Sequence, residues 1–325
     1  MKAVVVRESG PVLEDRAEPV PRPNEVLVQV KAAALNRLDM QVADGATHGK
    51  SGGVGNTMGI EWSGVVLQVG DEVPRSWVSP GDRVMCSGTG GYAEMAKTDW
   101  GRVHKFPDSF VDFNQAAALP VALQTAHEAI TASGQFQRGQ TVLVNGASSV
   151  IGMMSMQVAK ALGAAQVIGT TVSSGRIEAL RPFGLDLGVA TDQNNWVEAV
   201  LAATQGRGVD LTIDMVAGPT LNALLLATRV AGRIVNVGRV GGFHAEVDLD
   251  LHAMRRIQYI GASFRTRTLD EVREVSRNMR LDLWEAVARE ELRIPVSDVF
   301  PLERFAEAIE TMRGNRHFGK IILSV

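Results

Sequence analysis

The stretch NGASSVIG, residues 145–152, lies between an apolar run, TVLV (141–144), and a helical pattern, MMSMQVAKAL (153–162). A strand, a tight turn and a helix in this order suit the pyrophosphate of a dinucleotide, because free backbone N–H groups and the positive end of the helix dipole converge on the anion. The glycines of a G-x-G-x-x-G fingerprint have separate tasks: tight turning, close approach of backbone to phosphate, and close packing of helix on strand. Gly152 keeps the third task and Ala147 is a small substitute for the first, whereas Ser149 puts a Cβ where backbone should meet phosphate. The hydroxyls of Ser148 and Ser149 are then expected to donate to that phosphate. An ordinary strand-to-helix turn is the competing reading of the same residues.

A dinucleotide site also has to read the adenosine ribose. The next apolar run, QVIGTT, ends roughly 20 residues after the turn, where an NAD site would offer an acid to the 2′-hydroxyl. This chain offers Thr170, Thr171, Ser173, Ser174 and Arg176, with no acid until Glu178. An uncharged rim with one arginine suits a 2′-phosphate, so NADP(H) is expected over NAD(H). The plainer alternative is that Arg176 solvates a helix start.

The elements that must position these residues follow from the rest of the chain. With 325 residues it can bury two ordinary cores. A net charge of −3 gives no electrostatic case for nucleic acid or an anionic membrane. The single cysteine, Cys86, excludes an internal disulfide framework and suits a reducing compartment. No unbroken apolar stretch approaches the ~18 residues of a membrane span. The opening MKAVVVRESG reads as a strand, not as a signal peptide, and a cytoplasmic protein is expected.

The two halves follow different patterns. Residues 1–120 hold short β-rich runs, KAVVV, EVLVQVKAAAL and GVVLQVG, separated by turns such as PVPRPNE and VSPGDRV, which predicts an antiparallel barrel-like domain. From about 120, strands and helices alternate: TVLVNG, QVIGTTV, VDLTIDMV and RIVNVGR are apolar runs, and RIEAL and TLNALLLATR are helical. That pattern predicts an α/β fold with a doubly wound parallel sheet. A helix and a final strand, KIILSV, are expected at the end.

At this point the sequence resembles the zinc-free, zeta-crystallin-like quinone oxidoreductases of the medium-chain dehydrogenase/reductase superfamily. The resemblance rests on ALNRLDM (34–40), GIEWSGVV (59–66), PGDRV (80–84), GGYAEM (90–95) and AAALPVALQTAHEAI (116–130), together with the NGASSVIG turn, GRIVNVG (232–238), GASFRTR (261–267) and HFGKIIL (317–323). It implies a GroES-like β-rich domain over 1–120, completed by 290–325, and a Rossmann NADP-binding domain over 121–289. It also implies a homodimer that uses NADPH to reduce a small molecule, a quinone or an activated enone. A dedicated enoyl or enone reductase of a biosynthetic pathway is one alternative. An NADPH-binding protein without turnover is another.

The resemblance also bears on the metal. Zinc-dependent relatives use a Cys, a His-Glu pair and a further ligand, and this chain has Asn36 and Ile60 at the Cys and His positions, leaving Glu61. One cysteine cannot make a Cys₄ site, and no histidine pair shows ligand spacing, so no metal is expected. The nicotinamide carries the hard chemistry of hydride transfer, and the protein must stabilise charge developing on the acceptor oxygen. The resemblance places the amide of Asn36 there and Thr125 beside the nicotinamide, as the two residues of the reaction site. It lines the cofactor with Ser148, Ser149, Val150, Ile151 and Gly152, with Thr170, Thr171, Ser173 and Arg176, with Asn236, Val237 and Gly238, with Ser263, Phe264 and Arg265, and with Gly319 and Lys320. Asp39 and Glu61 are expected to brace backbone, and Tyr92 and Tyr259 to be structural. The tyrosine that donates a proton in some enoyl-thioester relatives has no counterpart here. His48 stands in that loop, and water is expected to supply the proton. Thr191 replaces an aromatic or His that some relatives hold against the adenine-side phosphate.

Overall fold

A computed structural model of the chain describes residues 1–49, 51–107, 112–172, 174–192 and 195–325. The chain divides into two compact units, one made of Met1–Val121 with Phe264–Val325, the other of Ala122–Ser263. The family resemblance implies a second unit that runs to 289, whereas the compact unit ends at Ser263 and the segment after it packs with the first unit.

The first unit begins with a hairpin, β1 (Lys2–Arg7) and β2 (Gly10–Asp15), that pairs Val4 with Leu13. Strand β3 (Glu25–Ala34), helix α1 (Arg37–Ala43), the two-residue strands β4 (Thr47–His48) and β5 (Ser51–Gly52), and β6 (Glu61–Val69) follow. Next come β7 (Arg83–Ser87), β8 (Met95–Asp99), β9 (Val103–Lys105) and the short helix α2 (Phe113–Ala117). Antiparallel pairs join β3 to β6, β6 to β7 and β7 to β9, while β8 pairs with β3. Val26, Val28, Val30, Trp62, Val84, Cys86 and Tyr92 fill the core that these strands enclose. This is the antiparallel barrel that the alternation of short β-rich runs predicts.

The second unit opens within α3 (Pro120–Glu128), which widens into a π-turn over Ala129–Ser133. Six parallel strands then alternate with helices: β10 (Thr141–Asn145), α4 (Val150–Ala161), β11 (Gln166–Thr171), α5 (Ile177–Leu180), β12 (Leu187–Ala190) and α6 (Trp196–Ala203). The second half is β13 (Val209–Asp214), α7 (Leu221–Ala227), β14 (Thr228–Asn236), α8 (Leu249–Arg255) and β15 (Gln258–Gly261). The strand order β12-β11-β10-β13-β14-β15 is that of a Rossmann sheet, with its switch point between β10 and β13. Two details differ from the sequence pattern. Strand β12 is too short to stand out among polar residues, and β14 starts at Thr228, inside the run TLNALLLATR that reads as helical.

The chain returns to the first unit with α9 (Leu269–Ala288), β16 (Val296–Pro301), α10 (Phe305–Arg313) and β17 (Lys320–Ser324). Helix α9 buries Val272, Val275, Met279 and Leu283, and its Arg273 bonds both carboxylate oxygens of Asp99 at 3.0 and 2.7 Å. That ion pair holds α9 to the first unit. Strand β17 pairs antiparallel with β3, setting Ile322 against Ala34. Among the described residues no helix is long and apolar enough to cross a membrane.

Candidate functional site

The first unit brings three polar residues together at the ends of adjacent strands. Strand β3 ends beside the starts of β6 and β17, with Ala33 opposite Trp62 and Ala34 opposite Ile322. Continuing the first register by one residue sets Glu61 opposite Ala34, and continuing the second by two sets Lys320 opposite Asn36. Lys320 and Glu61 form an ion pair with side chains only 2% and 0% exposed. The ammonium also donates to Asn36 Oδ1 at 2.7 Å and to the Leu35 carbonyl at 3.2 Å. Asn36 Nδ2 donates to Glu61 Oε1 at 2.9 Å and, more distantly, to the Ala34 carbonyl at 3.4 Å. The second oxygen of Glu61 accepts the Val121 N–H at 3.0 Å.

A second buried acid lies one turn along. Asp39 Oδ2 accepts the Asn36 N–H at 2.7 Å and the Tyr92 hydroxyl at 2.8 Å. Burial pushes the Asp39 carboxyl up to about 6, against the lowering effect of those two hydrogen bonds and of the Lys320 charge. Burial, with Asp39 beside it, holds the Tyr92 phenol well above its ordinary value. Asp39 and Glu61 therefore both accept backbone N–H groups.

Gly319 and Lys320 have local tasks in this fold. A Cβ at Gly319 would stand 2.0 Å from the Pro295 carbonyl oxygen, so glycine is needed for close packing of the chain. The three N–H donors of Lys320 meet three protein oxygens, which leaves none for a cofactor phosphate.

These residues do not fit a zinc site. Glu61 carries an ammonium, Asn36 is neutral, and Cys86 is buried in β7 with its thiol pushed up by desolvation, far from the thiolate a metal needs. Among the described residues no group of three or more His, Cys, Asp or Glu is arranged to hold a metal ion.

In the second unit the predicted cofactor residues gather along the carboxyl edge of the sheet. Thr170, Asn145, Asp214, Asn236 and Gly261 stand side by side across five strands. Asn145 and Asp214 face each other across the switch point, where Asn145 Nδ2 donates to Asp214 Oδ1 at 2.8 Å. The same oxygen accepts the N–H groups of Val216 and Ala217, while Oδ2 is buried with no partner among the described residues. Neither residue stood out in the sequence, because nothing in a strand-terminal Asn or Asp shows that it will face a neighbour.

The turn itself is built differently from its expected form. The left-handed residue is Gly146, at φ +84°, not Ala147, which is buried. Ser149 caps α4: its Oγ accepts the Gly152 N–H at 3.1 Å and donates to the Gly146 carbonyl at 2.8 Å. Its one hydroxyl hydrogen is thus committed inside the turn, contrary to the expected phosphate contact. The first-turn N–H groups of Val150 and Ile151 leave the open end of the helix, and Ser148 is half-buried beside them. Gly152 packs so closely that a Cβ would meet the Gly146 carbonyl oxygen at 2.5 Å, which is the third task of the fingerprint.

Thr170 is buried, and it braces the turn by donating to Asn145 Oδ1 at 2.7 Å and accepting the Gly146 N–H at 3.1 Å. Thr171 is buried too, and its carbonyl accepts the Thr191 N–H at 2.8 Å. Ser173 lies outside the described residues. Arg176 is half-buried in a 3₁₀ turn over Ser174–Arg176 and makes no ion pair among the described residues, while Glu178 pairs with Arg181. Val237 and Gly238 donate their N–H groups to the Asp214 carbonyl at 2.9 and 3.0 Å, and Asn236 Nδ2 reaches Gly238 O at 3.1 Å. Thr125 is half-buried on α3, and Ser263 ends the second unit. Phe264 and Arg265 belong to the first unit, where the Arg267 guanidinium covers the Phe264 ring at 5.5 Å.

Two family models match the chain: residues 22–108 match an alcohol dehydrogenase GroES-like domain, and residues 150–280 match a zinc-binding dehydrogenase. The chain is 29% identical to the quinone oxidoreductase of Homo sapiens, over 99% of this chain and 97% of that one. It is also 28% identical to a mycocerosic acid synthase-like polyketide synthase of Mycolicibacterium smegmatis, over 94% of this chain and 14% of that one. A mycobacterial quinone oxidoreductase structure superposes with a TM-score of 0.88 at 25% identity, covering 100% of both chains.

Asp39 gives this region a measurable pH signature. An acid whose value is raised on folding contributes stability that is present below its unfolded value near 4 and lost as pH rises through about 6. The loss corresponds to about 3 kcal/mol. Chemical denaturation of the wild type and of Asp39→Asn, compared from pH 4 to pH 7, should show the wild type losing that much relative to the variant. A pH-independent difference would show that the carboxyl is not destabilised by burial.

Proposed function

The chain belongs to the medium-chain dehydrogenase/reductase superfamily, in the branch of the zeta-crystallin-like quinone oxidoreductases, and from this premise we propose that it is an NADPH-dependent, zinc-independent oxidoreductase that reduces quinones or the activated C=C bonds of enones. The observation that carries the reading is the carboxyl edge of the second unit. A glycine turn, a capped helix end and the Asn145–Asp214 pair stand at the switch point of a Rossmann sheet, where dinucleotides bind. Residues 148–152 would hold the pyrophosphate, with the backbone N–H groups of Val150 and Ile151 at the helix end, and Asn236–Gly238 would border the nicotinamide half. Ser174 and Arg176 would read the 2′-phosphate, since Thr170 and Thr171 are buried.

When bound, the cofactor supplies the hydride. The chain's own part is to orient the acceptor and to stabilise the negative charge that develops on its oxygen. In this reading the Asn36 amide donates to that oxygen and Thr125 borders the nicotinamide. Water supplies the proton.

The polyketide synthase relative favours one other reading, a dedicated reductase of enoyl or enone groups in a biosynthetic pathway. A homodimer is supported by the free edge of β15, the outermost strand of its sheet, and by Phe243, Leu249 and Met254, exposed to 71%, 74% and 65%.

Four measurements test these statements. NADPH oxidation should proceed with a panel of quinones and enones and should withstand chelators. Arg176→Ala should raise the NADPH KM about tenfold to a hundredfold, the loss of one charge-assisted contact, and leave the NADH KM nearly unchanged. NADPH binding without turnover on quinones, enones or enoyl thioesters would mark a non-catalytic binding protein, and equal effects on both cofactors would remove Arg176 as the phosphate reader. Asn36→Ala should lower kcat by about 10²-fold with the NADPH KM within a few-fold, whereas a fully active variant would end its assigned role. Light scattering should give twice the chain mass of 34.9 kDa, and a monomer would remove the dimer.

A further inference from the structure

The buried ammonium of Lys320 is spent entirely on the first unit, and its partners show what it does. An Asn side chain can be turned over, exchanging carbonyl and NH₂, at almost no cost in shape. Here the two neighbours remove that freedom. Lys320 can only donate and meets Asn36 Oδ1, while the Glu61 carboxylate can only accept and meets Asn36 Nδ2. The flipped amide would set NH₂ against the ammonium and carbonyl against carboxylate, two repulsive contacts at buried groups.

The pair also leaves one donor over. One N–H of Asn36 goes to Glu61 at 2.9 Å, and the other has only the Ala34 carbonyl at 3.4 Å, longer than an ordinary amide hydrogen bond. Asn36 is half-buried, whereas Lys320 and Glu61 are fully enclosed, so Asn36 is the member of the trio that reaches the surface. Hydrogen bonds in series polarise one another, and a cation on the amide oxygen strengthens donation from the amide nitrogen.

We infer that Lys320 is a positioning residue, which with Glu61 locks the Asn36 amide in one orientation and sharpens its second, weakly bonded N–H as a donor to an anionic oxygen. The inference rests on the proposed role of Asn36 at the substrate oxygen, and it removes Lys320 from the cofactor's ligands. The positive charge reaches the reacting oxygen through one amide, without contact between Lys320 and substrate.

The test removes both charges together, because Lys320→Met alone would leave the Glu61 carboxylate buried without its partner and endanger folding. In Lys320→Met/Glu61→Gln, nicotinamide cofactor affinity, read by NADPH fluorescence titration, should stay within twofold and kcat should fall at least tenfold. The Asn36 side-chain NH₂ resonances, assigned by their loss in Asn36→Ala, should shift and broaden as the amide becomes free to turn. Cofactor affinity weakened tenfold with unchanged Asn36 resonances would make Lys320 a phosphate ligand and overturn the inference. Unchanged kcat and resonances with a lowered melting temperature would reduce the pair to a structural brace, which also overturns it. Should the wild type turn over no quinone, enone or enoyl thioester, the proposed function fails while the resonances still decide whether Lys320 orients Asn36.

Discussion

Burying an ammonium and a carboxylate costs several kcal/mol for each ion before any attraction between them is counted. Lys320 and Glu61 meet that cost with each other and with a complete set of neutral partners: the Asn36 amide, the Leu35 carbonyl and the Val121 N–H. Neither group can leave without stranding the other in the protein interior. The ends of β3, β6 and β17 are therefore fixed to one another where their registers bring the three residues together. The last strand of the chain becomes part of a site whose other members lie some 260 to 285 residues earlier. Asp39 and Tyr92 extend the same buried region from the other side of Asn36, so that its backbone and its side chain are held by different acids.

The second unit rests on a smaller counterpart that holds no buried ion pair. Asn145 and Asp214 close the two central strands against each other, Thr170 carries the connection to the turn, and the Asp214 carbonyl collects two N–H groups from the chain beyond β14. Ser149 then caps α4 from inside the turn. Side-chain hydrogen bonds thus hold the backbone conformation of this edge, and its unspent donors are backbone N–H groups at the helix end. Such an edge is suited to an anion by its geometry, without a charged side chain on the turn.

The donor set of this cluster does not suit a catalytic zinc. A catalytic zinc takes thiolate, imidazole or carboxylate ligands and needs them deprotonated and convergent. Here the buried cluster is an amide, an ammonium and a carboxylate that already holds that cation. The cation is covalently part of the chain, so its presence depends on no ligand supply. Its position is set by the strand that carries it.

Much of this was legible in one dimension. Apolar periodicity marked the β-rich first part and the strand–helix alternation that follows, because side-chain period reports directly on which face is buried. Spacing around NGASSVIG placed a strand, a tight turn and a helix start, because turn glycines and helical period are local signals. Lateral contacts were not legible. That Ser149 turns its hydroxyl inward, that Thr170 is buried, and that α9 packs with the first unit through Arg273 and Asp99 all depend on partners distant in sequence. Lys320 shows the limit most clearly: in the string it is one cation after a glycine, a natural candidate for a phosphate. Only the antiparallel pairing of β17 with β3 brings it to Glu61 and Asn36, because strand register is a property of two segments at once and neither segment encodes it alone.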